Sequence, residues 1–190
     1  MGIAAEIQGQ LLPSRLPRVS SIKMAAYSLP AKGVSGDYYD VIPIKKGNVM
    51  LVMCDVAGKG LPASLVMVMI RTIIHLVAHQ GGISMSRIME IVNWGVAGKI
   101  ALDRFATMSL VSYNFYDGVL EYSNAAHHPL LIYRASENRF EDLDTEGIPI
   151  GLDKKSRYSQ IHTKLEKGDI IMLYTDGIIE AMNDKGEQYT

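Results

Sequence analysis

The predicted fold is organised around the segment Cys54-Asp55-Val56-Ala57-Gly58-Lys59-Gly60, which follows the apolar run Val49-Met50-Leu51-Val52-Met53. The apolar run predicts a buried strand, and the glycines after it permit a sharp turn. A strongly apolar helix pattern begins directly afterwards, near Leu61. Asp55 therefore stands where a buried strand gives way to a turn, a position that suits either a turn residue or a carboxylate in a functional site.

Composition sets the broad class. The chain has 190 residues, 48% apolar and 21% charged, as expected for one soluble globular domain with a sizeable core. The formal net charge of −1 gives no sign of a nucleic-acid partner or of an anionic membrane surface. Cys54 is the single cysteine, which excludes an intrachain disulfide and suits a reducing compartment. With no membrane-length apolar run and no signal pattern, the sequence predicts a cytoplasmic protein without a membrane span.

A predicted hairpin brings two aspartates together. Residues 22–30 predict a first strand and residues 37–44 a second, which turns at Lys45-Lys46-Gly47-Asn48 into the central strand. Asp37 begins one arm of this hairpin and Asp55 ends the other. Antiparallel pairing therefore places the two carboxylates at the same end of the sheet.

A third aspartate, Asp176, stands at a late predicted strand end and also adjoins a glycine. Carboxylate oxygens are hard ligands that suit Mg²⁺ or Mn²⁺. Two such ions, roughly 3.5–4 Å apart, could share one carboxylate, and Asp55 is the natural bridge. Each aspartate alone is also compatible with a turn or capping role. Asp40 lies three residues after Asp37, on the opposite strand face, and is interpreted as a supporting or structural residue.

The middle of the chain predicts a helical hairpin. Residues 61–79 form an apolar helix pattern, and a second pattern runs from about residue 84 or 86 to residue 100 after Gly81-Gly82. Trp94 lies off the apolar face of the second helix. Arg71, His75 and His79 form one stripe of the first helix. We expect this stripe to face solvent and not to bind a metal.

The remainder is rich in strand patterns. Together with one helical hairpin they indicate an α+β domain with two packed antiparallel sheets and helices outside. The late strands are predicted at residues 105–115, 119–124, 129–134, 139–143, 158–165 and 170–174. His127-His128-Pro129 is interpreted as a structural turn in preference to a catalytic imidazole. Lys59 could meet an anionic substrate, although a solvated position is favoured.

Several motifs, in order, resemble the metal-dependent type 2C protein phosphatases, and most closely their bacterial sporulation-stage-II-E subgroup. The resemblance runs from about Leu11 to the end of the chain. The motifs are Gly36-Asp37-Tyr38-Tyr39-Asp40, Asp55-Val56-Ala57-Gly58-Lys59-Gly60-Leu61-Pro62-Ala63, Phe105-Ala106-Thr107-Met108, Tyr122-Ser123-Asn124-Ala125-Ala126-His127-His128-Pro129, Gly147-Ile148-Pro149-Ile150-Gly151-Leu152, and Gly168-Asp169 with Leu173-Tyr174-Thr175-Asp176-Gly177-Ile178-Ile179-Glu180-Ala181.

This resemblance implies a layered β-sandwich flanked by helix pairs. It implies hydrolysis of phosphoserine or phosphothreonine on proteins, with two Mn²⁺ or Mg²⁺ ions as cofactors. By the same resemblance, Asp55 would bridge both metals, helped by the carbonyl of Val56. Asp37 and Asp176 would each add a carboxylate, so the implied catalytic residues are Asp37, Asp55 and Asp176.

The resemblance also implies a domain organisation. Residues 1–17 would be the end of a linker helix from an upstream sensor domain, and residues 18–190 a phosphatase-like domain. The family continues past this point with a strand that carries a further metal-ligating aspartate, so we expect the domain to be C-terminally incomplete. One motif departs from the family pattern, because Ala126 stands where glycine is usual. Alanine is tolerated there unless the backbone needs a positive φ.

The implied substrate is a phosphorylated regulatory protein of the anti-anti-sigma type. The alternative is a catalytically weak or inactive signalling module of the same fold that binds a partner protein. The apolar helix segment 65–70 could support a homodimer.

Overall fold

The computed structural model describes residues 2–19, 21–29, 33–45, 47–101 and 104–188. Within these ranges the elements follow the predicted order, with boundaries shifted by a few residues. They are α1 (Ile3–Leu11), β1 (Tyr38–Ile44), β2 (Asn48–Val56), α2 (Leu61–Ala78), α3 (Met85–Val96), β3 (Ala106–Asn114), β4 (Val119–Ala125), β5 (Leu130–Arg134), β6 (Arg139–Leu143), β7 (Ile161–Lys164), β8 (Ile170–Met172) and α4 (Asp176–Ile179).

The strands form two antiparallel sheets. The larger sheet has the order β1-β2-β3-β4-β7, and the smaller has the order β6-β5-β8. The hairpins β1–β2, β3–β4 and β5–β6 pair directly through short turns, as antiparallel connections allow, whereas the short loops after β4 and β7 lead from the large sheet to the small one. The predicted α+β sandwich is therefore confirmed.

Strand β2 separates the two cores because its side chains alternate between the faces of the large sheet. Met50, Val52 and Cys54 are buried against α2 and α3 in the larger core. Cys54 is fully buried, and burial raises the pKa of its thiol, as expected of an unreactive residue. Leu51 packs instead against the second core, between the two sheets.

Helix α2 is long and apolar enough, by composition, to cross a bilayer. Its buried side chains pack into the larger core, where Met67, Ile70 and Ile74 are fully shielded from solvent. This packing against a sheet is that of a core helix in a layered domain.

The second core is smaller and lies between the sheets. Tyr122 and Leu120 from the large sheet meet Leu130 and Ile132 from the small one, all fully buried. The outer face of the small sheet is exposed in the described part of the chain, where Phe140 is 67% exposed. The large sheet is thus covered on both faces and the small sheet on one.

One predicted strand is absent. Residues 22–29 form no strand; the structure gives only an isolated bridge between Val19 and Ile22. Tyr27 and Leu29 are largely exposed, so the segment gains no burial by which a strand could be held against the sheet. Pro30, at the end of that prediction, and Lys46, in the β1–β2 turn, lie outside the described residues.

The stripe on α2 is only partly solvated, contrary to prediction. Arg71 donates from Nε to the carbonyl of Leu11 at 2.8 Å, which ties α2 to the end of α1. His75 Nε2 lies 2.8 Å from Asp40 Oδ2, and this oxygen also accepts from the Tyr38 hydroxyl. The sequence pattern could not show this, because the partners come from other elements.

Candidate active site

Strand register brings Asp37 and Asp55 to one end of the large sheet. Tyr38 pairs with Cys54, so Asp37, the residue before β1, lies across from Asp55. Asp55 pairs on its other side with Thr107 of β3. All three lie on the sheet face opposite the helices, because Cys54 and Val56 point into the helix-covered core. The hairpin prediction therefore placed the two carboxylates correctly.

Gly36 allows this end of the sheet to close tightly. A Cβ at Gly36 would lie 2.6 Å from the carbonyl oxygen of Val56, nearer than real Cβ atoms approach a backbone oxygen. Only glycine therefore lets the segment before Asp37 pass the Val56 backbone. Ser35 fixes the same segment, since its Oγ accepts a 3.0 Å hydrogen bond from the Asp37 amide.

The facing carboxyl groups disturb each other. Burial, together with the nearby charges of Asp37 and Asp176, raises the pKa of Asp55 to about 7. Burial also raises the pKa of Asp37, and Asp176 adds to that shift. Buried carboxylates that face one another without a balancing cation are each harder to ionise. This end of the sheet thus carries uncompensated negative charge.

His127 holds the backbone just before Asp176 beside the site. Asp176 is the first residue of α4, two residues after Tyr174. His127 donates from Nε2 to the Tyr174 carbonyl at 2.9 Å, since a carbonyl can only accept. Its Nδ1 therefore accepts from the Thr107 hydroxyl at 2.8 Å. Burial lowers the pKa of His127 to about 4, so the imidazole is neutral and holds both elements in place.

Asn124 shapes the turn that presents His127. Its side-chain oxygen accepts from the His127 amide at 3.0 Å, and its Nδ2 donates to the His127 carbonyl at 2.9 Å. Within this clamped turn Ala126 has a φ of 53°. The backbone therefore does require a positive φ where alanine replaces the family's glycine, and Ala126 occupies a conformation that costs an L-residue roughly 1–2 kcal/mol.

A cleft of about 220 Å³ opens beside these residues. Its walls are Asp55, Thr107, Ala126, His127, His128, Pro129 and Asp176. The ring of His128, which lines the cleft, stacks on Tyr174 with the ring centroids 5.1 Å apart. Sequence reasoning gave Thr107 no role. Its position opposite Asp55 in a β-ladder is the signal that could have identified it.

Two cationic residues, Lys59 and Arg104, lie at or beside the turn that follows Asp55. Lys59 is exposed, in agreement with a solvated position. No motif in the sequence singles out Arg104, yet its guanidinium lies beside the turn: a Cβ on Gly58 would be 3.6 Å from Arg104 Nη1. Asp40 points away from the cleft and is bound by Tyr38 and His75, which makes it structural.

The donor set suits hard divalent cations. Asp37, Asp55 and Asp176 supply carboxylate oxygens, which Mg²⁺ and Mn²⁺ prefer. In the described part of the chain, no three histidine, cysteine, aspartate or glutamate side chains are already grouped as a metal cage. The raised pKa values nevertheless indicate a site where added positive charge would relieve repulsion between carboxylates.

Known proteins resemble this chain in sequence and in fold. The family model described as Stage II sporulation protein E matches residues 45–190. The phosphoserine phosphatase RsbU of Bacillus subtilis is 34% identical over 184 residues, which cover 97% of this chain and 54% of RsbU. The chain thus spans about half the length of this relative.

Two solved structures share the fold. The SiaA PP2C domain of Pseudomonas aeruginosa is 21% identical with a TM-score of 0.74, covering 97% of this chain and 74% of that one. RsbX, solved in complex with magnesium, is 19% identical with a TM-score of 0.66, covering 80% and 72%. The family match and the shared fold agree with the motifs that resemble type 2C phosphatases. The chain belongs to the Stage II sporulation protein E family of type 2C-like phosphatase domains.

Proposed function

We propose that this domain hydrolyses phosphoserine or phosphothreonine on a regulatory protein, with divalent cations held at the end of the sandwich that carries Asp37, Asp55 and Asp176. The observation that carries this proposal is the pair of facing, half-buried carboxyl groups with raised pKa values beside an open cleft. Membership of the family and the similarity to a phosphoserine phosphatase support the same reaction.

The three aspartates and the Val56 carbonyl would hold two Mg²⁺ or Mn²⁺ ions. When bound, such ions would supply positive charge to a phosphoryl group and lower the pKa of water. Asp55 faces Asp37 and also lines the cleft with Asp176, so it is the carboxylate best placed to be shared. Gly36 keeps the Val56 backbone close to Asp37.

Other residues would position the site. Neutral His127 holds the Tyr174 backbone and so fixes the start of α4, where Asp176 stands. Because its pKa is lowered, His127 stays a hydrogen-bonding residue at neutral pH and does not become a second cation. The Arg104 guanidinium beside Gly58 would meet a phosphate as a charged, multidentate donor.

We infer that residues 1–17 are the end of a linker helix and that residues 18–190 form the phosphatase domain. Buried Gln8 of α1 binds the Ser35 backbone twice, donating at 2.7 Å and accepting at 2.9 Å. Ser35 in turn binds the Asp37 amide. This chain of contacts gives an upstream sensor domain a physical route to a proposed metal ligand. We expect Gln8→Ala to increase amide exchange in α1 and to alter turnover.

The substrate class would be a phosphorylated protein of the anti-anti-sigma type, in a partner-switching pathway of the bacterial cytoplasm. Similarity to RsbU supports this assignment. A homodimer would use the exposed side of α2, where Leu61 and Leu65 are 51% and 58% exposed.

Turnover of a phosphoserine peptide with and without Mn²⁺ tests the proposal. We expect Mn²⁺-dependent release of phosphate, and a loss in kcat of about 1,000-fold in Asp55→Asn, because stabilisation by a bound metal is worth several kcal/mol. The matched control is Asp142→Asn, which neutralises an exposed carboxylate on β6. Full turnover in Asp55→Asn, or equal loss in Asp142→Asn, would contradict the mechanism.

A second candidate is a catalytically weak or inactive module that binds a partner protein. The absence of a preformed three-ligand cage in the described residues favours it. Titration calorimetry with Mn²⁺ and an assay of phosphate release distinguish the two candidates. The phosphatase binds Mn²⁺ and releases phosphate from a phosphoprotein. The binding module binds the phosphoprotein and releases no phosphate.

A further inference from the structure

A second, larger depression lies on α3 and the loop that follows residue 150. Its volume is about 490 Å³, more than twice that of the cleft beside Asp55. We call it the Trp94 groove, and it is lined by Arg87, Glu90, Ile91, Trp94, Lys154, Lys155, Ser156 and Arg157. None of these residues has a role in the proposed phosphatase reaction.

The groove is strongly positive in an otherwise slightly acidic chain. Four cationic side chains and one carboxylate line it, a formal charge of +3, whereas the whole chain has −1. Glu90 is shared between Arg87 at 2.6 Å and Arg157 at 3.0 Å. Lys154 and Lys155 form no ion pair with any carboxylate in the described residues. Two cations of the groove are therefore available to an incoming anion.

Trp94 gives the groove an apolar floor. The indole is 60% exposed, although a large aromatic side chain is ordinarily buried. Lys154 Nζ stands 4.9 Å from the ring centroid and Lys99 Nζ stands 5.7 Å from it. Tryptophan is among the residue types that dominate the binding energy of protein interfaces.

Two hydrogen bonds hold the backbone on the two sides of the groove together. Asn93 is fully buried on the adjoining face of α3. Its Oδ1 accepts from the Gly151 amide and its Nδ2 donates to the Asp153 carbonyl, both at 2.8 Å. The loop that carries Lys154 and Lys155 is thereby fastened to the helix that carries Trp94. A preorganised surface loses less conformational entropy on binding than a mobile one.

We propose that the Trp94 groove docks an acidic segment of a partner protein, with two or more carboxylates around one apolar side chain. The lysines would pair with the carboxylates, and the apolar side chain would cover the indole and Ile91. A protein segment fits better than nucleic acid, because nucleic-acid binding needs an extended basic surface and this one is a short groove in a chain of net charge −1. Binding here requires neither metal nor phosphate hydrolysis.

Trp94 is the single tryptophan of the chain, so intrinsic indole fluorescence reports on this groove alone. The probe is a twelve-residue peptide of glutamate and serine with one central leucine. We expect it to shift or quench the emission of the full chain saturably, and we expect binding to weaken as NaCl is raised. The same peptide with lysine in place of glutamate should leave the emission unchanged.

Charge reversal separates the groove from the rest of the surface. Lys154→Glu with Lys155→Glu should weaken binding of the peptide by about tenfold or more, as expected when attractive rim charges become repulsive. The control is Lys167→Glu with Lys185→Glu, two exposed lysines outside the groove, and it should bind as the wild type does. Polarisation of a fluorescein-labelled peptide provides a second readout, for use with Trp94→Ala.

Three results would overturn the proposal. The acidic peptide could fail to bind, the groove variant could bind it as tightly as the control variant, or a twelve-nucleotide single-stranded DNA could bind Trp94 more tightly than the peptide. The last result would assign the groove to nucleic acid. Each is independent of turnover, so a failure here leaves the phosphatase proposal standing, and the converse also holds.

Discussion

Asp55 and Asp169 are both aspartates at strand ends, and their pKa values move in opposite directions. Asp169 precedes β8, and its side chain is 1% exposed. Burial alone would raise its pKa, but backbone amides of Glu166 and Ala135 and the Arg134 guanidinium outweigh burial and lower it. Among the described residues, no backbone amide or guanidinium plays this part for Asp55. Burial and the charges of its carboxylate neighbours raise its pKa to about 7.

The two aspartates differ in the groups that bind them. Arg134 binds Glu141, Asp169, Thr163 and the Lys164 carbonyl, so each carboxylate in that cluster is matched, in the sense that it has a cationic partner. A matched cluster fixes the small sheet against the end of β7. A cluster of unmatched carboxylates does the opposite, because it weakens the fold unless a cation is added. Carboxylates without cationic partners thus indicate a functional site. Carboxylates with cationic partners, as in the Arg134 cluster, indicate a structural joint, that is, a contact that holds two elements together.

The largest expected effect follows from breaking the matched cluster. Asp169→Ala should lower the free energy of unfolding by about 2 to 3 kcal/mol, because Arg134 and two backbone amides lose an acceptor. Urea unfolding measures the change. Glu137→Ala removes an exposed partner of Arg139 and should leave stability nearly unchanged. If both variants lose the same stability, the Arg134 cluster is not a structural joint.

Removing one carboxylate from the unmatched cluster should raise the free energy of unfolding. Without metal at pH 8, Asp55→Asn should raise the free energy of unfolding by about 1 to 2 kcal/mol. The sign follows from the pKa of Asp55: it is higher in the folded state than in the unfolded chain, so ionisation disfavours folding. Asp142→Asn, on the exposed strand β6, is the control and should change little. Destabilisation by Asp55→Asn would mean that Asp55 is matched after all.

The sequence predicted the unmatched pair because hairpin pairing is local. Asp37 and Asp55 are joined by one turn, and the alternation of a strand fixes which residues share an end. The same alternation separated Asp40 from the pair. Helix lengths and the sandwich followed from apolar periodicity, which reflects burial directly.

Contacts between distant elements could not be predicted in this way. His127 and Tyr174 are 47 residues apart, and nothing in either motif states that one imidazole joins them. The exposure of Tyr27 and Leu29 likewise depends on whether the sheet edge takes a further strand, and a strand pattern alone does not decide that. Tertiary partners, and not local propensity, set these features.

The smallest expected effect compares backbone strain in the two regions. Ala126 beside the cleft has a φ of 53°, and Asn138 in the β5–β6 turn has a φ of 50°. Asparagine tolerates this conformation, and here its Oδ1 accepts a 2.8 Å hydrogen bond from the Tyr133 hydroxyl. Alanine has no such compensation.

Ala126→Gly should therefore raise the free energy of unfolding by about 0.5 to 1 kcal/mol, since relief of the strained φ exceeds the entropy that glycine adds to the unfolded chain. Asn138→Gly should give no gain, because it removes the bond to Tyr133. Thermal unfolding of both variants measures the difference. If Asn138→Gly is more stable than the wild type and Ala126→Gly is not, the backbone strain lies in the β5–β6 turn and not beside the cleft. Strain at Ala126 instead accords with a turn whose shape is dictated by His127 and the cleft, at the cost of local stability.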